Sequence, residues 1–388
     1  MDGAGHGGTT PLAPPATAAP ERQACVDLGA ITGNVAALCE RVRGSQVMAV
    51  VKADGYGHGM IPAARAALAG GATWLGTADL TEALALRAAG ITEPLLCLMA
   101  IGEPAEAIRA GIDVTAASVE VVARVAQAAA RAGVPARLQL KADTGLSRGG
   151  ATRAGWPEVV EAALDAQAAG RLRVTGLWSH FACADLPGHP SVAAQLAAFA
   201  DAVAHAEKAG VTPEVRHIAN TAGALTVPQC RLDLVRFGGA LYGISTLPGG
   251  APSWLRPAMT LRARLALVKR VPPGSGVSYG HRYVTDRQTT LGLVPLGYAD
   301  GVPRAATGLP LVSAHGRRWP VAGTVCMDQF VVDFGDEPVT AGEEVVLFGP
   351  GDDGEPTAQE WGEALGTISY EIVTGVGNRV VRTYPGGS

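Results

Sequence analysis

From residue 47 onward the chain alternates between two hydrophobic patterns. Short runs apolar at nearly every position, the mark of strands buried on both faces, give way to longer Ala-rich segments with apolar residues at helical spacing. VMAVVK (47–52) reads as a buried strand and Met60 to Ala69 as a helix. WLGTAD (74–79) precedes LTEALALRAAG (80–90), LLCLM (95–99) precedes EPAEAIRAG (103–111), and DVTAAS (113–118) precedes SVEVVARVAQAAARAG (118–133), which Gly133 and Pro135 stop. ARLQLKAD (136–143) leads to AGWPEVVEAALDAQAAG (154–170) and VTGLWSH (174–180) to QLAAFADAVAHAEKAG (195–210). EVRHIAN (214–220) and LDLVRFGG (232–239) complete the series. About eight strand–helix units predict a (β/α)8 barrel. A doubly wound open sheet is the rival arrangement of any such repeat, and the count favours the barrel.

After about Pro257 helical periodicity nearly vanishes. LRARLALVKRV, TTLGLVPLG, RWPVAGTV, QFVVDF and EEVVLFG are short alternating or apolar runs separated by Pro and Gly, so a mostly β domain is expected. The loop-like LPGGAPSWLRP marks the boundary. The division is therefore a disordered Gly/Pro/Ala/Thr tail over 1–20, a barrel over 21–255 and a β domain over 256–388.

Composition narrows the function class. The 388 residues are 48% hydrophobic and 17% charged, below the roughly 25% charge of an average chain, which fits a large core. A net charge of -4 without basic clusters offers nothing to a polyanion or an anionic membrane. The N-terminus has neither the basic start nor the apolar core of a signal peptide. Six scattered cysteines without a C-x-x-C pair argue against a disulfide framework or a zinc site, and a cytoplasmic location is expected.

In barrels the chemistry sits at the C-terminal ends of the strands. The first strand ends on Lys52, followed by Tyr56 and His58. The fifth leads to Lys141 and Arg148, the sixth to Trp178, Ser179 and His180, the seventh to His217, Asn220 and Thr221, and the eighth to Arg236, Gly238 and Gly239. A single polar residue at a strand end is usually a satisfied rim group, and His58 is read that way. Lys52 differs because it closes an unbroken apolar run. Desolvation lowers the pKa of such a lysine toward a free amine nucleophile. Loops after the seventh and eighth strands commonly bind phosphate, and Asn220-Thr221 and Gly238-Gly239 provide a hydroxyl, backbone N–H groups and close backbone approach. Each glycine taken singly is equally well explained by strand–helix packing. A phosphate there and a lysine across the mouth together describe pyridoxal 5′-phosphate (PLP).

AVVKADGYGHG, KADTGLSRGG, SHFACAD, HIANTAG, RFGGALYG, VSYGHRY, PLGYADG, GTVCMDQ and TISYEIVTGVGNRV occur in that order. Through them the chain, from about Cys25 to Tyr384, resembles the bacterial alanine racemases, PLP-dependent isomerases of the barrel fold type. The resemblance implies interconversion of L- and D-alanine, supplying D-alanine for the cell wall, in a homodimer with shared active sites. It makes Lys52 the Schiff-base lysine and one of two bases, and Tyr279 the other. His180 and Arg236 support the tyrosine, and Arg236 also faces the pyridine nitrogen, which an arginine keeps unprotonated. Tyr56, Thr221, Gly239 and Tyr370 become phosphate ligands, and Arg148 a ligand of the cofactor's phenolic oxygen and of the substrate carboxylate. Met327 and Asp328 belong to the carboxylate site and Tyr298 to the entry. Lys141 matches a lysine carbamylated in many members, with the carbamate positioning Arg148. Tyr279, Tyr298 and Met327 would come from the partner subunit. The alternatives are a broad-specificity amino-acid racemase, a decarboxylase of the same fold type and a non-catalytic PLP-binding protein. Arg236 argues against the decarboxylase, which places a carboxylate opposite the pyridine nitrogen. Tyr298 and Tyr370 at the entry argue for a small substrate, and the β domain carrying Tyr279 argues against a PLP carrier.

Overall fold

The computed structural model describes residues 21–245, 247 and 249–385; the tail expected over 1–20 lies outside them. After β1 (Arg22–Val26) come eight parallel strands: β2 (Gln46–Val50), β3 (Trp74–Thr77), β4 (Leu95–Cys97), β5 (Asp113–Ala116), β6 (Ala136–Lys141), β7 (Leu172–Trp178), β8 (Val215–His217) and β9 (Leu234–Phe237). They form one sheet in the order β8-β7-β6-β5-β4-β3-β2-β9, so the last strand returns beside the first and the expected barrel forms. At the seam, where β8 faces β9, the Asp233 carboxylate accepts the Arg216 backbone N–H at 2.8 Å, and Arg236 N–H reaches Ala219 O at 3.1 Å.

Alternation along each strand divides the core. Met48, Val50, Trp74, Leu96, Val215 and Leu234 form the cluster inside the barrel, while Val47, Ala49 and Val51 join the larger core beneath the helices. Each fully buried Val, Leu or Met side chain contributes about 1.5–3 kcal/mol. Several strands end earlier than their apolar runs, because the chain turns out of the sheet to build the mouth. Lys52 is a case in point. The β2 ladder stops at Val50, and Lys52 opens a separate turn, Lys52–Tyr56, instead of closing the strand.

In the second unit β10 (Met259–Arg264) lies in a six-stranded sheet with 344–348, 312–314 and 317–319 on one side and β1 and 381–383 on the other. β1 runs antiparallel to β10 and parallel to Val381–Thr383. The first described strand is therefore carried by the β unit, although it precedes the barrel in the chain. A four-stranded sheet and a short hairpin, 276–277 with 283–284, complete the unit. It also holds two helices, Ala358–Leu365 and Ser369–Thr374, that the strand-rich pattern did not predict. The first carries a signal that was available: Thr357 and Glu360 form a reciprocal capping box. Among the described residues no helix is long and apolar enough to cross a membrane, and the six cysteines are free.

Candidate active site

The mouth of the barrel begins with an unusual turn. Ala53, Asp54, Gly55 and Tyr56 all have positive φ, between 51° and 62°. A left-handed residue with a side chain costs roughly 1–2 kcal/mol, so the segment needs outside support. Ala53 N–H donates to Glu82 at 2.6 Å, and Asp54 accepts the Met60 N–H at 2.8 Å. Below the turn, the buried His58 Nδ1 lies 3.1 Å from Gly55 O and 2.9 Å from Tyr56 O. Carbonyls only accept, so Nδ1 carries the proton. His58 is the satisfied histidine expected, and its task is to hold the turn that presents Lys52 and Tyr56.

Lys52 stands in a cationic neighbourhood. Its pKa is lowered, first by burial and then by Arg148, with Glu82 opposing. Lys141 is lowered to about 8 by burial, Arg148 and Arg236, and its ammonium sits 4.4 Å above the Trp178 ring. Mutually repelling cations in a partly buried mouth form a site suited to an anion. The indole N–H of Trp178, on the same ring system, is buried without a hydrogen-bond partner among the described residues.

Arg236, 4% exposed, organises the mouth floor. Its guanidinium meets His217 Nδ1 at 2.6 Å, His180 Nδ1 at 3.0 Å, Ser179 O at 2.8 Å and Ile218 O at 3.2 Å. A guanidinium has donors only, so both imidazoles accept at Nδ1 and carry their proton on Nε2. His217 Nε2–H donates to Gln139 Oε1 at 2.8 Å, and Gln139 donates to Asp113 Oδ2 at 2.9 Å. Asp113 also accepts from Thr175 at 2.7 Å and from Arg137 at 2.6 Å. This line of directed hydrogen bonds leaves His180 with an Nε2–H to offer. Burial, then Arg236, lowers the His180 pKa to about 3, and His217 falls well below its ordinary value for the same reasons. Gln139 and Asp113 were not expected at the site. The signal for Gln139 was a polar residue inside the apolar strand ARLQLK.

The residues expected to form a phosphate-type cradle lie close together. Asn220 caps the helix Thr221–Thr226, its carboxamide oxygen accepting the Gly223 N–H at 3.0 Å. Thr221 is buried at the first turn. Gly238 and Gly239 lie under two tyrosines. A Cβ on Gly239 would fall 2.5 Å from the Tyr370 hydroxyl, and one on Gly238 would overlap the Tyr56 hydroxyl. Tyr56 meets Tyr370 edge-on at 5.7 Å and Tyr242 at 5.0 Å. Burial, then Tyr370, holds the Tyr56 phenol protonated, well above its ordinary range. Tyr370 arrives on Ser369–Thr374, the unpredicted helix of the β unit.

The remaining candidates stay within the β unit. Tyr279 is 75% exposed, Met327 53% and Tyr298 45%. Tyr298 N–H bonds Cys326 O at 3.0 Å and Ala299 N–H bonds Met327 O at 3.0 Å, pairing the two loops. Asp328 is tied to Arg379 at 2.7 Å, and Arg379 also grips the buried Asp300. A cavity of about 250 Å³ beside Tyr279 is lined by Ser278, Cys326, Gln329 and Phe330 among others. The structure thus groups Lys52, Tyr56, Lys141, Arg148, His180, Asn220, Thr221, Arg236, Gly238, Gly239 and Tyr370 at the barrel mouth. Tyr279, Tyr298, Met327 and Asp328 all belong to the β unit, and all are exposed.

Comparison with known proteins covers the same span. The family "Alanine racemase, N-terminal domain" matches residues 26–246 and "Alanine racemase, C-terminal domain" matches 258–384. The chain is 62% identical over 366 residues to the alanine racemase of Thermobifida fusca, covering 94% of this chain and 98% of that one. It is 58% identical to that of Frankia casuarinae, covering 93% and 95%. Among solved structures, the alanine racemase from D-cycloserine producing Streptomyces lavendulae aligns with a TM-score of 0.93 at 54% identity, covering 96% of this chain and 99% of that one. The Bacillus anthracis alanine racemase with bound L-Ala-P aligns at 0.86 and 33%, covering 95% and 96%.

Proposed function

The chain belongs to the alanine racemase family, and we propose that it interconverts L- and D-alanine with two bases on opposite faces of the substrate, Lys52 of one chain and Tyr279 of the partner subunit. The reading rests on full-length similarity to alanine racemases and is carried by one observation: a desolvated lysine at a cationic barrel mouth, on the same turn as Tyr56, which with Tyr370 covers Gly238 and Gly239.

That donor set fits PLP. Tyr56, Tyr370, Thr221 and the backbone of Gly238 and Gly239 would hold its phosphate, Arg236 would donate to its pyridine nitrogen, Arg148 to its phenolic oxygen, and Lys52 would anchor it. Bound there, PLP would acidify the Cα–H of an amino acid by withdrawing electrons from that carbon. The chain's own groups then move the proton. Lys52, its amine made more available by burial, serves the face presented by D-alanine, and Tyr279 the face presented by L-alanine. A phenol titrates near 10 and is a weak base unless its anion is stabilised. His180, neutral and bearing its proton on Nε2, is a donor suited to that anion, and Arg236 fixes its tautomer. Met327 and Asp328 lend backbone N–H groups, with Arg148, to the substrate carboxylate, and Tyr298 narrows the entry for a small side chain. We further read Lys141 as a carbamate. An amine lowered to about 8 reacts with carbon dioxide at neutral pH, releasing one proton, and the product carboxylate turns repulsion of Arg148 into attraction. D-alanine for the cell wall is the product role this reading assigns.

The test is complementation. Lys52→Ala and Tyr279→Phe chains, each inactive, are mixed after dissociation. Half the dimers become mixed and one site in each is intact, so about a quarter of wild-type activity returns. No recovery overturns the shared site. Reductive trapping of PLP followed by peptide mapping checks the anchor, and a label on any lysine other than Lys52 overturns it.

A further inference from the structure

The loop that carries Tyr279 is built against ordinary backbone preference. Ser278 has φ 61° and ψ -171°, a region otherwise almost confined to glycine. Gly280 at 74° and His281 at 43° follow with positive φ. Such conformations persist only where the surroundings over-determine them, and here the surroundings are specific. The Ser278 hydroxyl donates to Thr324 O at 2.6 Å, and the Thr324 hydroxyl donates back to Tyr279 O at 3.0 Å. Thr324 is 2% exposed. At the far side of the same hairpin, Tyr283 donates to Asp333, which also accepts from the Thr289 hydroxyl and, at 2.8 Å, from Gly335 N–H. The backbone is tied on both flanks, while the Tyr279 ring is left 75% exposed.

We propose that Thr324, acting with Ser278, is a positioning residue for Tyr279: their reciprocal hydroxyl–carbonyl pair holds the loop in the one conformation that projects the phenol out of its own chain toward the neighbouring barrel. Packing alone would not need this chemistry, because valine fills the space of threonine without the hydroxyl. Glycine would adopt the Ser278 backbone conformation at lower cost, so what serine adds there is the hydroxyl, which meets Thr324 O and lies 3.3 Å from Cys326 Sγ. The proposal rests on Tyr279 being the base for L-alanine, and that dependence supplies the test. A loosened tyrosine loop must impair one enantiomer, whereas general damage to the fold impairs both.

The assay is deuterium wash-in at Cα, measured separately for L- and D-alanine on the PLP-loaded dimer. Thr324→Val is expected to slow wash-in from L-alanine by about 10- to 100-fold, the scale of an ångström-size misplacement, and to leave D-alanine within about twofold, since Lys52 is untouched. Thr324→Ser, which keeps the hydroxyl, restores most of the L-alanine rate. Ser278→Gly accepts the backbone conformation without strain and loses only the hydroxyl, so it folds and shows the same selective loss. Tyr279→Phe is the control. If it loses both enantiomers equally, the two-base reading fails and the proposal falls with it. If it is selective while Thr324→Val and Ser278→Gly lose both equally or neither, only the positioning role is overturned.

Discussion

Two buried imidazoles, His58 and His217, and the half-buried His180 are held in neutral form, and this makes the protein sensitive to mild acid. His58 is held near a pKa of about 4, with burial outweighing its two carbonyl contacts, His180 near about 3, and His217 well below its ordinary value. In an unfolded chain each titrates near 6.5. Between pH 6.5 and about 4 the unfolded chain therefore binds protons that the native chain refuses. Stability is fully present above the unfolded value and is lost as pH falls. At pH 5, 1.5 units below 6.5, this is about 2 kcal/mol each for His58 and His180, about 4 kcal/mol together, and His217 adds in the same direction. That is comparable with the whole stability of a typical domain, about 5–15 kcal/mol. His315 shifts the other way, raised first by its hydrogen bond to Glu337, but it is surface-exposed and the screened contribution is small. The assay is urea unfolding at constant ionic strength in half-unit steps from pH 7.5 to 5. Unfolding free energy should fall with a slope approaching three protons, and in His58→Phe the slope should drop by about one proton whatever its absolute stability. A flat profile between pH 6.5 and 5, or an unchanged slope in His58→Phe, would refute the reasoning.

Two further outcomes are expected. Gly239→Ala places a methyl 2.7 Å from Tyr370 Cζ and nearer still to Cε1, and relieving it moves a tyrosine packed on Tyr56. Overpacking of about 1–3 kcal/mol would weaken PLP binding roughly 5- to 150-fold, read by titrating cofactor into the stripped protein; unchanged affinity would show that the cradle lies elsewhere. With 13C-labelled bicarbonate, carbon NMR should show a carbamate signal that Lys141→Arg abolishes, and Lys52→Arg retaining or losing that signal distinguishes which amine reacts.

The barrel was legible because parallel strands buried on both faces must be apolar at every position, and glycine and proline punctuate the helices between them. VMAVVK and VTGLWSH are largely apolar runs of this kind, and the polar residues at their ends, Lys52 and His180, lie at the mouth. Lys52 was legible for the same reason, as a charge directly after a run that could not be exposed. Pattern reading failed where partners come from far along the chain. Nothing local says that Arg22–Val26 pairs with Met259–Arg264 and Val381–Thr383 rather than with the barrel, because edge pairing depends on which strand end happens to be near.

What the sequence determined by itself was the list of chemistries at the strand ends: a lysine after a buried strand, histidines and an arginine at later strand ends, and glycines where a phosphate could approach; the tyrosine of the turn-rich hairpin stood out only through the family resemblance. Those follow from short-range physics, hydrophobic periodicity and the steric freedom of glycine. Tertiary structure alone decided how the groups work. Arg236 imposes its tautomer on His180 and His217 only because three strand ends converge on it, and Gln139 becomes part of that line only because β6 turns it into the barrel. Tyr370 reaches the cradle because a helix of the β unit docks on the mouth, and Thr324 reaches Tyr279 across 45 residues of chain. Hydrogen-bond direction, burial and backbone strain depend on neighbours distant in sequence, and those neighbours exist only once the chain has closed on itself.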